Sequence, residues 1–326
     1  MIDRPRPHDP IVTIIVPGRD VATYAVEALA SLRAQTEPAW RAILVDDGST
    51  DATGSLFARA AASDPRFTVI THSVPRGLGA ARNTGLDLVD TPFVGFLDAD
   101  DVLTPVALRR LTETLTRSGS DVVTGAYVRL RPDDAGGYTP GDVQPWVRAA
   151  TEPERLGTTL AQHPAVSGNV VAWSKLSRVE LWRRGGIRFP EGRLYEDQVV
   201  AQRLYTTART IDVIPDVVVH WRERADGSSI TQRKDAVPVL VDYLDAMRAG
   251  IAVLDAAGQR AAARARIRLV LVMDVPPLVR IARDHPDDAY RRALGTFVNG
   301  LAARADAESI ALNDASAALR AAAALW

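Results

Sequence analysis

The chain has 326 residues, 47% of them hydrophobic and 24% charged, with a formal net charge of −1. That length accommodates one large α/β domain with an appendage, and the near-zero charge argues against nucleic acid, whose binders carry a basic surplus. There are no cysteines, which excludes disulfides and thiolate metal sites and fits a cytoplasmic setting.

Residues 1–10 are polar and proline-rich, read as a flexible N-terminus, and lack the apolar stretch of a signal peptide. Residues 11–17 (IVTIIVP) form a short β-branched run, the pattern of a strand buried on both faces. Residues 22–35 have helical spacing, with Asp20 and Thr23 both candidates for the cap. Residues 40–45 predict the next strand, followed by Asp46-Asp47-Gly48-Ser49 and a helix that Asp51 can cap. Residues 67–71 and 93–97 predict further strands, separated by a helix over 78–89. Thr104-Pro105 opens another helix, since proline suits a first helical turn, and 122–130 reads as a fifth strand.

Residues 131–150 are rich in Pro, Gly and Asp and predict a long loop, a common place for a lid. Helices are expected over 173–184 and 195–208, and two short strands around Pro215. From about Asp235 the chain is rich in Ala, Arg and Leu and predicts a wholly helical region, with breaks at Pro276-Pro277 and His285-Pro286. The expected organisation is therefore an α/β domain over 11–234 and a helical domain over 235–326. No run approaches the ~20 apolar residues that span a bilayer, so any membrane contact is expected to be peripheral, at the inner face of the plasma membrane. The helical region is a candidate oligomer surface. Residues 260–268, rich in Arg, read first as a solvated helix face, and could otherwise meet an anionic polymer or a membrane surface. The chain ends within an Ala-rich stretch, 315–326, as an excised domain of a longer protein would.

Strands alternating with helices imply parallel crossovers, and ligands of such sheets lie beyond the carboxyl ends of the strands. Pro17, Asp46-Asp47 and Asp98-Ala99-Asp100 all stand at predicted strand ends and should meet in one crevice. Clustered carboxylates repel unless a cation lies between them, and Mg²⁺ or Mn²⁺ bridging to a diphosphate is a common solution. A helix cap would use the same residues. Asp46 and Asp47 could accept from a base N–H, or form an Asx-turn. Arg82, in Ala81-Arg82-Asn83-Thr84-Gly85, could meet phosphate, or lie on a solvated helix face. Glu196-Asp197 could supply a general base, or cap a helix. Arg224 and Ser229, in RERADGSSIT, could close over a diphosphate, or belong to a solvated loop.

The order and spacing of VDDGSTD, ARNTG, FLDADD, YEDQ and GSSIT resemble glycosyltransferase family 2, over about 11–231. The resemblance implies a GT-A fold with a mainly parallel central sheet and an inverting transfer from a nucleotide-sugar donor, a UDP-sugar, to an acceptor hydroxyl. It implies a base-binding edge at Pro17, Asp46 and Asp47. Arg82 would contact nucleotide or phosphate. Asp98 and Asp100 would bind Mn²⁺ or Mg²⁺, Asp197 would be the base and Glu196 would orient sugar or acceptor, with Arg224 and Ser229 in the closing loop. Arg19 stands where the family often has an aromatic residue, and could replace its stacking on the base. His220 matches the place of an extra metal ligand in some GT-A enzymes, although a single histidine at a strand end is also an ordinary structural residue. The segment HWRERADGSSITQRK resembles glycosyltransferase-type domains of actinobacterial proteins that build teichoic-acid-like or capsular polymers, so the acceptor is expected to be a carbohydrate or polyol-phosphate polymer. Two other functions fit parts of the pattern. A nucleotidyltransferase would need a Gly-rich basic loop after the first strand, where PGRDVATY has one glycine. A non-catalytic carbohydrate-binding scaffold would have no need of the DAD and ED pairs.

Overall fold

The computed structural model describes residues 9–227, 229, 233–305 and 325–326. Residues 1–8, 228, 230–232 and 306–324, with parts of the GSSIT segment and of the 315–326 stretch among them, therefore lie outside the described residues. The first half alternates as Val12–Gly18 (β1), Ala22–Arg33 (α1), Trp40–Asp46 (β2), Thr53–Ser63 (α2), Phe67–Thr71 (β3), Leu78–Leu86 (α3) and Phe93–Phe96 (β4). Then come Val102–Leu103 (β5), Ala107–Ser118 (α4), Val122–Pro132 (β6), Tyr138–Val143 (β7), Pro145–Thr151 (α5) and Arg155–Thr158 (β8). A 3₁₀ turn at Pro164–Gly168 leads to Lys175–Arg178 (β9), Val179–Gly185 (α6), Asp197–Thr207 (α7) and Ile211–Arg222 (β10). The helices Val237–Ala256 (α8), Arg260–Leu269 (α9), Val275–Asp284 (α10) and Asp288–Ala302 (α11) follow, with a π-helical turn at Val270–Asp274.

The sheet order is β3-β2-β1-β4-β9-β6-β10-β5. β3, β2, β1 and β4 pair in parallel, as do β6 and β10, while β9 runs antiparallel between β4 and β6. The six longer-range strands thus share one direction, and the sheet is mainly parallel. Period-two alternation distributes β1 and β2 between two cores. Val12, Ile14, Val16, Trp40, Ala42 and Leu44 pack toward α1, α2 and α4. Ile15, Ile43 and Val45 pack toward α3, α6 and α7, where Leu254, Ala262 and Ala263 from the C-terminal helices join them. A third core lies among α8–α11.

Several sequence expectations need correction. Residues 131–150 are not a loop: β6 and β7 form a hairpin with Arg131 opposite Thr139, and α5 follows. The Asp133 carboxylate closes the hairpin turn by accepting from the N–H groups of Ala135 and Gly137 at 3.0 and 2.9 Å, local bonding that composition does not register. The helix expected over 173–184 is a strand, β9, and a shorter helix, α6, because the open positions between β4 and β6 recruit Lys175–Arg178 as a pairing partner. Pro215 does not split the 210–221 segment; the register shifts beside it let one strand, β10, continue past a residue with no N–H to donate. Pro276-Pro277 does not break the helix, because the prolines fall in the first turn of α10 and the π turn precedes them. Thr104 caps nothing; its hydroxyl donates to the Val217 carbonyl at 2.8 Å. Asp20 accepts from Thr50 N–H at 2.8 Å instead of capping α1. Asp51 does act at the start of α2, accepting from Thr53 N–H at 2.8 Å, and His285-Pro286 does separate α10 from α11.

Candidate active site

The carboxyl ends of β1, β2 and β4 open on one side of the sheet, and the acidic turns gather there. Arg82 lies at their centre. α3 carries it inward because Gly85 lets the helix press on Ile15, where a Cβ would come within 2.5 Å of a side-chain carbon. Gly79 lets the first turn of α3 meet the 189–191 segment, where a Cβ would lie 2.1 Å from the Pro190 carbonyl oxygen. The guanidinium is 2% exposed. It donates to Asp98 at 2.6 Å and to Glu196, and lies 5.3 Å from the Phe189 ring centroid. Burial opposes its charge, but Asp98, Glu196 and Asp197 more than offset this and hold its pKa above the ordinary value.

Asp100 is paired with Arg224, Nε to Oδ2 at 2.8 Å. Burial raises the Asp100 pKa, with Asp98 adding to it and Arg224 opposing. Ala99 is buried in the core that includes Phe57, next to Gly18. Asp101, the last acid of the FLDADD turn, is 1% exposed and accepts from Arg222 N–H at 2.8 Å. Burial and its two neighbouring acids push it well up, and its Oδ2 has no hydrogen-bond partner among the described residues. Arg222 donates to the Asp100 carbonyl at 2.7 Å and lies 4.2 Å from the Tyr138 ring centroid. Tyr24 is held at a pKa of about 12 by burial and its hydrogen bond with Tyr138, with Arg224 5.4 Å from its ring centroid. The β6–β7 hairpin, through Tyr138, thus reaches the site; its DDAGG turn was the available signal.

Asp197 is the first residue of α7, and the Gln198 N–H beside it donates to the Tyr195 carbonyl at 3.3 Å. Burial raises it, Arg82 opposes this, Asp98 adds to it, and Lys175 opposes it. Glu196 is buried and pushed up to about 7 by desolvation, against the pull of Arg82. Lys175 was missed because its segment was read as helix. It is 4% exposed, donates to Asn169 Oδ1 at 2.7 Å and to the Val171 carbonyl at 2.5 Å, and burial lowers it to about 7. Lys175 and Asp197 line one small hollow with Phe96, Phe189 and Ala201.

The remaining predicted residues fall in different places. Pro17 is buried at the end of β1. Asp46 accepts from Ser49 N–H at 3.0 Å. Asp47 accepts from the N–H groups of Arg76 and Gly77, both at 2.8 Å, and from His72 at 2.6 Å. Burial raises Asp47, but these bonds outweigh it and its pKa lies below the ordinary value. Arg19 is exposed at the crevice edge, 3.6 Å from Asp20. His220 pairs in register with Val102 in β5, with its pKa lowered by burial. Ser229 is half-buried in the segment after Arg224. Among the described residues no three His, Cys, Asp or Glu side chains form a ready-made metal cage. Asp98 and Asp100 are the groups able to hold a divalent ion. Their hard oxygens and mutual repulsion suit Mg²⁺ or Mn²⁺ completing its shell with phosphate oxygens.

A mainly parallel sheet with acids at the ends of β2 and β4 and a carboxylate pair at the start of α7 defines a GT-A-like α/β protein. The match of residues 13–184 to the model of glycosyl transferase family 2 places the chain in that family. EpsJ of Bacillus subtilis (strain 168), an uncharacterized glycosyltransferase, is 30% identical over 230 residues, 70% of this chain and 65% of that protein; the chain thus spans just under two-thirds of that relative's length. S. aureus TarS 1-349, solved in complex with UDP-GlcNAc, superposes with a TM-score of 0.70 at 20% identity, covering 89% of this chain and 81% of that one. Mannosyltransferase PcManGT from Pyrobaculum calidifontis, solved with GDP-Man and Mn2+, superposes with a TM-score of 0.57 at 21% identity over 98% of this chain and 87% of that one.

Proposed function

We propose that this protein is an inverting, metal-dependent glycosyltransferase that moves a sugar from a UDP-sugar to a hydroxyl of a carbohydrate or polyol-phosphate polymer. The observation that carries the reading is the Arg82 bridge. One buried cation joins Asp98 to Glu196, and so couples the leaving-group side of the crevice to the turn that bears Asp197. The UDP-GlcNAc bound by TarS and the GDP-Man and Mn2+ bound by PcManGT support a nucleotide-sugar donor and a divalent ion.

In this mechanism Asp197 takes the proton of the acceptor hydroxyl. The freed oxygen bonds to the anomeric carbon from the face opposite the diphosphate as the bond to the diphosphate oxygen breaks, with inversion. Mn²⁺ or Mg²⁺ held by Asp100 and Asp98 would neutralise charge on the leaving diphosphate. Arg224 exchanges its bond with Asp100 for the phosphates, with Ser229 beside it, and Arg222 keeps the acidic turn in place. Asp46, Asp47 and Pro17 shape the base edge, and Glu196 keeps Arg82 oriented. The helices after 235 form the proposed second domain. No helix among the described residues is long and apolar enough to cross a membrane, and we place the reaction at the inner face of the plasma membrane.

The test is release of UDP from a panel of UDP-sugars, with and without Mn²⁺ or Mg²⁺, by the wild type and Asp197→Asn. The expected result is ion-dependent turnover that Asp197→Asn loses by about a thousandfold while UDP affinity stays within about twofold. Wild-type turnover by Asp197→Asn would refute the base assignment.

A further inference from the structure

The helices after residue 235 have no part in the chemistry above, yet they hold the turn in front of Asp197 at four points. Asp242 of α8 accepts from Leu194 N–H at 3.1 Å and from Arg193 at 3.0 Å. The Tyr243 ring lies against the Tyr195 ring, centroids 4.4 Å apart. Gly250, in the middle of α8, faces the first turn of α7, where a Cβ would lie 3.3 Å from the Gln198 carbonyl oxygen. Arg266 of α9, 3% exposed, donates from Nη2 to Gln198 Oε1 at 3.0 Å.

Arg266 is itself anchored. Its Nη1 donates to Asp274 Oδ2 at 3.4 Å, and the Tyr243 hydroxyl donates to Asp274 Oδ1 at 2.6 Å. Asp274 ends the π-helical turn, a departure from regular winding that recurs at functional sites.

Each of these features is unfavourable by itself. An apolar trio would fill the same core without the desolvation of an ion pair. A glycine in a helix interior weakens the helix. Tyr195 has φ +58°, a region that bulky side chains occupy only when their surroundings hold them there. All of them converge on residues 194–198, and Gln198 is the link to chemistry, because it directly follows Asp197 in the first turn of α7.

We propose that the C-terminal helical region is a positioning element of the active site: Arg266, anchored by Asp274 and Tyr243, holds Gln198 and thereby aims the Asp197 carboxylate. The inference rests on the reading of Asp197 as the base. Arg82, Asp98, Lys175 and Glu196 also face Asp197, so the decisive variant must leave charge unchanged. Gln198→Met does so: it removes the acceptor for Arg266 and keeps side-chain length.

The experiment uses the full chain. The Asp197 carboxyl ¹³C resonance, assigned by its loss in Asp197→Asn, is titrated without ligand. Release of UDP from UDP-GlcNAc with Mn²⁺ is then measured across pH, alongside UDP affinity. Gln198→Met is expected to move the Asp197 titration by about half a pH unit or more. It should lower kcat about tenfold with UDP affinity within about twofold. Tyr243→Phe, which removes one hydroxyl and keeps the ring stack, should shift both in the same direction by less, and it carries the test if Gln198→Met does not fold. An unchanged Asp197 titration in both variants overturns the inference, even where Asp197→Asn is inactive. Turnover by Asp197→Asn instead overturns the base assignment, and this inference with it. Arg264→Met, on the outer face of α9, should leave every readout at the wild-type value.

Discussion

Replacing Arg82 with methionine removes the cation at the centre of the site while keeping much of the side chain's length. Asp98 then loses its 2.6 Å partner, Glu196 loses the cation it is paired with, and both stay buried or partly buried at the site. Breaking a buried pair by deleting one partner costs about 3–5 kcal/mol, because the orphaned charge cannot return to water. At roughly 2–4 °C per kcal/mol for a chain of this size, the unfolding midpoint should fall by roughly 6–20 °C. The loss should depend on pH. Glu196 titrates at about 7 with Arg82 pulling it down, so without Arg82 it stays protonated to higher pH. A carboxyl whose folded pKa is raised destabilises the fold progressively as pH rises above its unfolded value. Between pH 7 and 8 the variant's folded state therefore binds about one proton more than the wild type's. The gap between them should widen by at most about 1.4 kcal/mol per pH unit. Urea unfolding of both proteins at pH 6, 7 and 8 measures this. A gap that is constant with pH, or smaller than about 1 kcal/mol throughout, would refute the central role given to Arg82.

Three further outcomes are expected. Turnover should fall as pH drops below about 7, since protonation of Glu196 there loosens its bond to Arg82; a flat profile between pH 6 and 8 would contradict the direction and cause of the Glu196 shift. Gly79→Ala should cost about 1–3 kcal/mol by calorimetry and reduce turnover, because the new Cβ meets backbone at Pro190 and pushes α3, with Arg82, from the Glu196 turn. Arg224→Ala should tighten Mn²⁺ binding to nucleotide-free protein, since the ion no longer displaces a guanidinium from Asp100, and should raise the KM for donor; calorimetry showing unchanged Mn²⁺ affinity would count against Asp100 as the ligand.

Alternation of buried strands and helices was legible before any coordinates, because a parallel strand covered on both faces must be apolar nearly throughout: β1 is buried at all seven positions. The acids at the ends of β2 and β4 were legible for the same reason, as polar residues that interrupt such runs where the crevice must open. The sequence could not show that Arg82 is buried, because a solvated helix face has the same composition. Its partner Glu196 stands 114 residues away, and only α3 pressing on β1 through Gly85 and on Pro190 through Gly79 brings them together. β9 was read as helix because four residues carry too little periodicity to announce a strand, so Lys175 was overlooked beside Asp197. Local sequence determined where the chemistry-bearing side chains leave the strands. Tertiary structure decided which of them share a charge, because ion pairs and the strained turn at Tyr195 depend on contacts between segments whose local patterns carry no record of one another.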